Sequence, residues 1–225
     1  ELGQLKKAIN NYEIALSINP NYAETHNNLG NAFREQNQLN NALESYQKAI
    51  KLKPNFAEAY NNLGILYQKL GKINASAKSF IKALKINPQY GEAFNNLGIT
   101  LNEFNLYEDA IKAYKQVLVI NPNFAEAHLN LGVVHFKNNE HEFAIKSFED
   151  SLALNPNNDE ALFRLGSAFQ SFGKFNEAVK TYENLISIKS DFIEAYNNLG
   201  VVFVELRRLD EAEVVLRKVV TLKKD

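Results

Sequence analysis

The chain contains no cysteine, no methionine and no tryptophan, and only five of its 225 residues are proline. Without cysteine it can form neither a disulfide framework nor a thiolate nucleophile. The absence of cysteine does not decide the cellular compartment, for which the cytoplasm is favoured as the default. No apolar run approaches the length of a membrane span, and no signal-peptide pattern opens the sequence. Lys and Arg (25) nearly balance Asp and Glu (26), which argues against nucleic acid or a membrane as the partner.

The few prolines lie at a fixed interval. Each follows the previous one by 34 residues: Pro20, Pro54, Pro88, Pro122 and Pro156. Leu-Gly pairs recur with the same step and end at Gly30, Gly64, Gly98, Gly132, Gly166 and Gly200. Two series of residues with the same period indicate a single supersecondary unit that is repeated along the chain. We therefore divide the chain into a half repeat at 1–22, five repeats at 23–56, 57–90, 91–124, 125–158 and 159–192, and a last, uncapped repeat at 193–225.

Apolar residues recur at helical spacing twice in each repeat, which predicts a pair of antiparallel helices. In the second full repeat, Leu63 and Tyr67 share one stripe and Phe80 and Leu84 share another. The turn between the helices holds a residue suited to the left-handed conformation: Gly3, Asn37, Gly71, Asn105, Asn139 or Gly173. Arg207 breaks this series, so we expect a less regular last turn.

Two further features concern the first helix of each repeat. Asparagine or aspartate three residues before a glutamate, as in Asn21 and Glu24, predicts a capping box at the helix start. The repeat glycine lies inside the helix, where it costs about 1 kcal/mol relative to alanine. We therefore expect the backbone of a neighbouring helix to approach each of these glycines closely.

The order of Leu-Gly, a bulky residue three positions later, a small residue, a later aromatic and the proline resembles the tetratricopeptide repeat (TPR) over the whole chain. In the second full repeat these positions are Gly64, Tyr67, Ser76, Phe80 and Pro88. The resemblance implies an all-α fold, a right-handed superhelical α-solenoid of stacked antiparallel helix pairs. It also implies a concave groove lined by the first helices, and a non-enzymatic scaffold that binds a partner protein or an extended peptide.

The positions expected to face that groove lie two and three residues before each repeat glycine, and asparagine occupies nine of them: Asn28, Asn62, Asn96, Asn130 and Asn198, then Asn27, Asn61, Asn95 and Asn197. Asparagine competes with the helix backbone for hydrogen bonds. At roughly 0.6 kcal/mol each against alanine, nine cost about 5 kcal/mol of helix propensity. A ladder of primary amides suits the alternating N–H and C=O groups of an extended peptide. The array resembles the TPR superhelix of O-linked N-acetylglucosamine transferases, in which groove asparagines hold substrate peptide backbone.

Two origins of this asparagine ladder that involve no binding role stay open: an AT-rich genome scatters asparagine, and recent duplication of one ancestral unit preserves any pattern. Towards the C-terminus apolar groups replace the amides. We expect Phe136 and Phe163 to form an apolar pocket beside Arg164, although a merely apolar solenoid face would show the same residues. The hypothesis is a bipartite site, with backbone capture first and an apolar anchor with one cation further along.

The sequence contains no arrangement of residues that is typical of a catalytic, metal or phosphate-binding site. The histidines do not gather, since His128 and His135 are separated by about 10 Å along one helix, and the glycines form no phosphate loop. We predict no catalytic residue, no metal and no cofactor. Two alternatives to a simple scaffold remain: the substrate-recruiting arm of a larger enzyme such as a glycosyltransferase, with its catalytic domain beyond residue 225, and a self-assembling scaffold. Exposed apolar residues in the last helix predict self-association through residues 210–225.

Overall fold

Short amphipathic helices alternate with connections of three or four residues along the whole described chain. The computed structural model describes residues 2–222, and these form thirteen α-helices and no strand. The all-α class predicted from the sequence is confirmed. Residue 1, the first of the predicted half repeat, lies outside the described residues, and so do residues 223–225, the last of the final repeat.

The chain divides into two units, Glu1–Leu106 and Tyr107–Asp225. The boundary falls within the predicted repeat 91–124. The first unit contains α1 (Leu2–Ile18), α2 (Ala23–Glu35), α3 (Leu39–Leu52), α4 (Ala57–Lys69), α5 (Ile73–Ile86) and α6 (Gly91–Glu103). The second unit contains α7 (Tyr107–Ile120), α8 (Ala125–Lys137), α9 (His141–Leu154), α10 (Asp159–Ser171), α11 (Phe175–Ile188), α12 (Ile193–Glu205) and α13 (Leu209–Leu222).

Within each unit, every helix packs against the next helix in the chain. In the first unit, the first helix of one repeat also contacts the first helix of the following repeat, since α2 contacts α4 and α4 contacts α6. In the second unit, α8 contacts α10 and α10 contacts α12 in the same way. The first helices of each unit therefore stand side by side and present one shared face.

The turns between paired helices use the left-handed backbone region. The predicted residues there have positive φ: Asn37 (60°), Gly71 (67°), Asn105 (58°), Asn139 (59°) and Gly173 (76°). Two expectations were wrong. Arg207 adopts the same conformation (φ 58°), so the last turn is as regular as the others. Gly3 lies within α1 instead of a turn, because the helix already begins at Leu2.

Aromatic rings fill the space beside the repeat glycines Gly30, Gly64, Gly132 and Gly166, and the expected approach of a neighbouring backbone was wrong. A Cβ atom added to Gly64 would lie 2.5 Å from Cε1 of Phe80, and one added to Gly166 would lie 2.5 Å from Cε1 of Tyr182. In both cases the ring comes from the second helix of the same repeat and is fully buried. Glycine is needed at these positions because the ring fills the space that a methyl group would take.

The predicted capping boxes were also wrong. The N-cap residues of α2, α4, α6, α8 and α12 are aromatic and make no side-chain capping hydrogen bond: Tyr22, Phe56, Tyr90, Phe124 and Phe192. Of these helices, α2, α4, α8 and α12 begin one residue later than a cap at the preceding asparagine or aspartate would require. Only at α10 is a side-chain cap described, where Asn158 Oδ1 accepts from the Ala161 amide at 2.9 Å. Asparagines that precede the prolines form local hydrogen bonds instead. For example, Asn19 Oδ1 accepts a hydrogen bond from the Asn21 amide.

The last helix exposes apolar side chains to solvent. Leu209, Val214, Leu216 and Val220 of α13 are all exposed, although Ala212 and Val219 of the same helix are buried. Self-association through residues 210–225 stays a prediction, and residues 223–225 of that segment lie outside the described chain. Within residues 2–222, no helix combines the length and hydropathy that crossing a membrane requires.

Candidate functional site

In the first unit the groove asparagines bond to one another across neighbouring first helices. Asn62 Nδ2 on α4 donates to Asn27 Oδ1 on α2 at 3.0 Å, and Asn96 Nδ2 on α6 donates to Asn61 Oδ1 on α4 at 3.1 Å. Asn61 Nδ2 in turn donates to Glu92 Oε1 at 3.1 Å. The helix contacts bring these amides together, and the result is a directed chain of hydrogen bonds that runs from α6 to α4 and back to α6.

The two rows of asparagine differ in burial, which the sequence pattern did not distinguish. Asn27 and Asn61, three residues before the glycine, are 2% and 0% exposed. Two residues before the glycine, Asn28 is exposed, Asn96 is half-buried and Asn62 is 8% exposed. The earlier row is therefore enclosed between the first helices, whereas the later row has members that reach solvent. Asn95, in the earlier row of α6, is also buried.

In the second unit the remaining predicted residues have more varied surroundings. Asn198 Nδ2 donates to the Tyr182 hydroxyl at 3.2 Å, and that hydroxyl also contacts Ser167 and Gln170. Because Tyr182 is buried, its pKa is raised above the usual range. Asn130 and Asn197 are half-buried. Asn198 is thus tied into the repeat that precedes it.

Arg164, Phe136 and Phe163 were expected to form one subsite. The exposed Arg164 pairs with Glu160 one turn earlier, with Nη2 and Oε1 at 3.3 Å. The Phe136 ring meets His141 edge-on at 5.6 Å between centroids, whereas the Phe163 ring lies 5.3 Å from Phe192. Each ring is half-buried against the core and has its own aromatic neighbours. A pocket formed jointly by the two rings stays a prediction.

The glutamates at the first-helix starts bind other side chains. Glu24 Oε1 accepts from Lys53 Nζ at 2.6 Å, and this bond lowers the pKa of the Glu24 carboxyl. Beside Glu92 and Glu58, burial raises the pKa of Tyr90 to about 12, with smaller contributions from the two negative charges. The carboxylate at the start of α2 is thus already paired with a cation.

The histidines either contact backbone carbonyl groups at the turns or lie buried in the core. His26 Nε2 and His128 Nε2 each lie 2.9 Å from a proline carbonyl oxygen, of Pro20 and Pro122 respectively. His135 is buried, with Nδ1 2.5 Å from Glu140 Oε2. Among residues 2–222, no group of three or more His, Asp or Glu side chains is placed to hold a metal ion.

Comparison with known families identifies the repeats. Models described as TPR repeat match residues 1–34, 30–71, 105–139 and 171–206. Models described as tetratricopeptide repeat match residues 57–90, 125–158, 79–112 and 193–225. The chain belongs to the tetratricopeptide repeat family. The comparison with curated protein sequences gave no match.

Solved structures of TPR proteins share the fold. MamA is 30% identical, with a TM-score of 0.70 over 72% of this chain and 95% of MamA. YrrB, described as a TPR protein with an unusual peptide-binding site, is 23% identical, with a TM-score of 0.72 over 82% of this chain and 95% of its own. PilF of Pseudomonas aeruginosa is 19% identical, with a TM-score of 0.72 over 86% of this chain and 88% of its own. The likeness to the transferase arrays is not shown by these comparisons and stays a prediction.

Proposed function

We propose that this chain is an interaction scaffold that holds an extended peptide, or an extended segment of a partner protein, against its first helices through asparagine side chains. TPR proteins generally mediate protein–protein interactions, and the fold is typical of non-catalytic scaffolds. YrrB has a peptide-binding site, but at its level of identity the likeness concerns the fold alone. The proposal therefore rests on the geometry of this chain.

The hydrogen-bond chain of the first unit is the observation that carries the proposal. A primary amide has two N–H donors and a carbonyl oxygen with two lone pairs. Asn96 uses one N–H on Asn61, and Asn62 uses one on Asn27. These two amides therefore each keep a second N–H and the carbonyl oxygen, the two groups that pair with a peptide C=O and N–H.

The buried row gives these amides a fixed orientation. Asn61 is held from two sides, by donating to Glu92 and by accepting from Asn96. A side chain already held in one rotamer loses little entropy when it binds a ligand, so pre-orientation favours affinity. We assign Asn28 and Asn96, the solvent-accessible members, to direct peptide contact, and Asn27 and Asn61 to orientation.

The second unit offers a different surface on its first helices. Val201 and Val204 of α12 are about half exposed, and Asn130 and Asn197 are partly accessible. The exposed Arg164 adds a cation that Glu160 already pairs. These groups support apolar contact with side chains of a bound segment more than capture of its backbone, in line with the bipartite hypothesis.

The test replaces the accessible amides and measures peptide affinity. Dodecapeptides are selected from a random phage-displayed library on the wild-type chain and measured by fluorescence anisotropy. Because two hydrogen bonds of about 1 kcal/mol each are lost, the Asn28→Ala/Asn96→Ala variant should bind roughly tenfold more weakly or worse. N-methylation of alternate peptide nitrogens should weaken binding to the wild-type chain, since it removes backbone donors.

The matched control is Asn40→Ala/Asn74→Ala, two exposed asparagines on the second helices α3 and α5. This variant should bind the selected peptides as the wild-type chain does. Unchanged affinity in Asn28→Ala/Asn96→Ala, or an equal loss in the control, would remove the asparagine ladder from the function.

A further inference from the structure

A groove on the second unit lies between the second helices α11 and α13, with α12 behind it. Its apolar lining consists of Ile186, Leu199, Phe203, Val214 and Val215. Its rim carries three carboxylates: Glu183, Asp210 and Glu211. Leu199 and Phe203 are almost fully buried and Val214 is 69% exposed. The groove thus has a closed apolar floor and one open apolar wall.

The equivalent groove one repeat earlier, between α9 and α11, has a polar wall. A step of 34 residues relates Lys180 to Val214 and Thr181 to Val215, and both residues of the earlier pair line that earlier groove. The floor is apolar in both places, since Leu165 of the earlier groove corresponds to Leu199. Of these two grooves, the later one therefore combines an apolar floor with an apolar wall.

Val214 is exposed to solvent, whereas Val215 is half-buried and packs against the core of the second unit. β-branched residues are poorer helix formers than lysine because their side chains lose rotamer freedom. An exposed valine also keeps apolar surface in water, which is unfavourable at roughly 25 cal/mol per Å². Contact with a partner that covers Val214 would recover this free energy.

The charges on the rim indicate the chemistry of that partner. Arg208 binds Glu211 through both Nε and Nη2. The residues that line the groove include three carboxylates and no lysine or arginine, so the lining itself is negatively charged around an apolar cleft. A segment with an apolar side chain and neighbouring lysine or arginine would match both properties, because its cations meet the rim while its apolar group displaces water from the floor.

We propose that the groove between α11 and α13 docks an apolar side chain of a partner protein, flanked by lysine or arginine. The site lies mainly on second helices of the second unit, and none of its lining residues belongs to the asparagine ladder. It does not rest on the proposed peptide capture, and either proposal can fail alone.

The test uses three octapeptides and amide chemical shifts of the isotope-labelled chain. The probe is Gly-Ser-Lys-Leu-Phe-Lys-Ser-Gly, and the matched peptides replace both lysines with glutamate or the Leu-Phe pair with Ala-Ala. The lysine probe should shift the amides of Val214, Val215 and Phe203 and bind at least tenfold more tightly than either matched peptide. Its affinity should fall as salt rises, since exposed charges are screened.

The variant Val214→Lys/Val215→Thr installs the pair found one repeat earlier and should weaken binding of the lysine probe at least tenfold. Val214→Lys alone, which keeps the core contact of Val215, should also weaken binding with an unchanged melting curve. The reciprocal variant Lys180→Val/Thr181→Val should create a second site for the same probe. Equal binding of the lysine and glutamate probes, or no shift at these amides, overturns the proposal. So does a concentration-dependent mass in sedimentation that Val214→Lys/Val215→Thr abolishes, because the groove would then be occupied by a second copy.

Discussion

Burial divides the asparagines of the first helices into an enclosed group and a solvent-accessible group. Asn61 is fully enclosed and spends its amide on Glu92 and Asn96, whereas Asn28 is exposed. In the enclosed group, hydrogen bonds satisfy the buried amide of Asn61, which would otherwise destabilise the fold, whereas the buried Asn95 Oδ1 has no hydrogen-bond partner. The sequence predicted that these positions matter together, but it treated the two rows as equivalent because both recur with the same step.

A prediction at the residue scale concerns backbone strain at the turn residue Arg207. A residue with a Cβ atom in the left-handed region loses roughly 1–2 kcal/mol, whereas glycine there costs about 0.5–1 kcal/mol in unfolded-chain entropy. We therefore expect Arg207→Gly to raise the free energy of unfolding by about 0.5 kcal/mol, measured by urea denaturation.

The control Arg217→Gly places glycine inside α13, where it should lower the free energy of unfolding by about 1 kcal/mol. Arg217 also pairs with Glu213, so part of any loss belongs to that exposed ion pair. A destabilised Arg207→Gly would show that the left-handed turn carries no strain in this chain.

At the scale of elements, the unit of packing is a glycine on the first helix and a large side chain on the second. The ring faces the glycine in the pairs Gly30–Tyr46, Gly64–Phe80, Gly132–Phe148 and Gly166–Tyr182. In the last repeat Leu216 faces Gly200 instead. The pairing sets how closely the two helices of a repeat approach, and it explains why both positions recur with the period of the repeat.

Gly64→Ala should destabilise the first unit although alanine is the better helix former. The gain in propensity is about 1 kcal/mol, but the new methyl group would lie 2.5 Å from the buried Phe80 ring, and overpacking of this kind costs about 1–3 kcal/mol. Thermal unfolding should show a lower midpoint than the wild type.

The second-site change Phe80→Leu tests the cause of that loss. Leucine is the residue that faces the repeat glycine in the last repeat, so it should tolerate the added methyl group better than the ring does. A double-mutant cycle should then give a favourable coupling between Gly64→Ala and Phe80→Leu. Additive effects of the two changes would contradict the ring contact as the reason for the glycine.

At the scale of the whole molecule, the ion pairs formed by lysine and arginine contribute little to folding, since they are solvent-exposed. The tyrosines affect stability at alkaline pH. Burial raises the pKa of Tyr46 and of Tyr90 to about 12, from 10.0 for an unperturbed phenol. The fold thus favours the neutral phenols.

Alkaline titration should reveal this linkage. The stabilisation is complete below pH 10 and is lost as pH rises from about 10 to about 12, because the unfolded chain releases these protons first. Urea denaturation should give a lower free energy of unfolding at pH 11 than at pH 9. Absorbance at alkaline pH should show a late-titrating fraction that Tyr46→Phe and Tyr90→Phe each reduce. Equal early titration in both variants and the wild type would contradict the burial of these phenols.

The sequence by itself determined the architecture of each repeat. Proline, Leu-Gly and the turn residues recur with one step, and periodic side chains and fixed φ angles are local properties that a short segment encodes. The helix starts were predicted less well, because aromatic N-cap residues such as Phe56 pack into the structure instead of capping through their side chains.

Only the tertiary structure decided which contacts the recurring residues make and how deeply they are buried. Gly64 meets a ring and not a backbone, Asn61 is enclosed while Asn28 is exposed, and Val214 forms the wall of a groove with residues about 30 positions earlier. These facts depend on which helices become neighbours and how closely they approach. That information is held in the packing between segments distant in the chain, so no periodic pattern within one segment contains it.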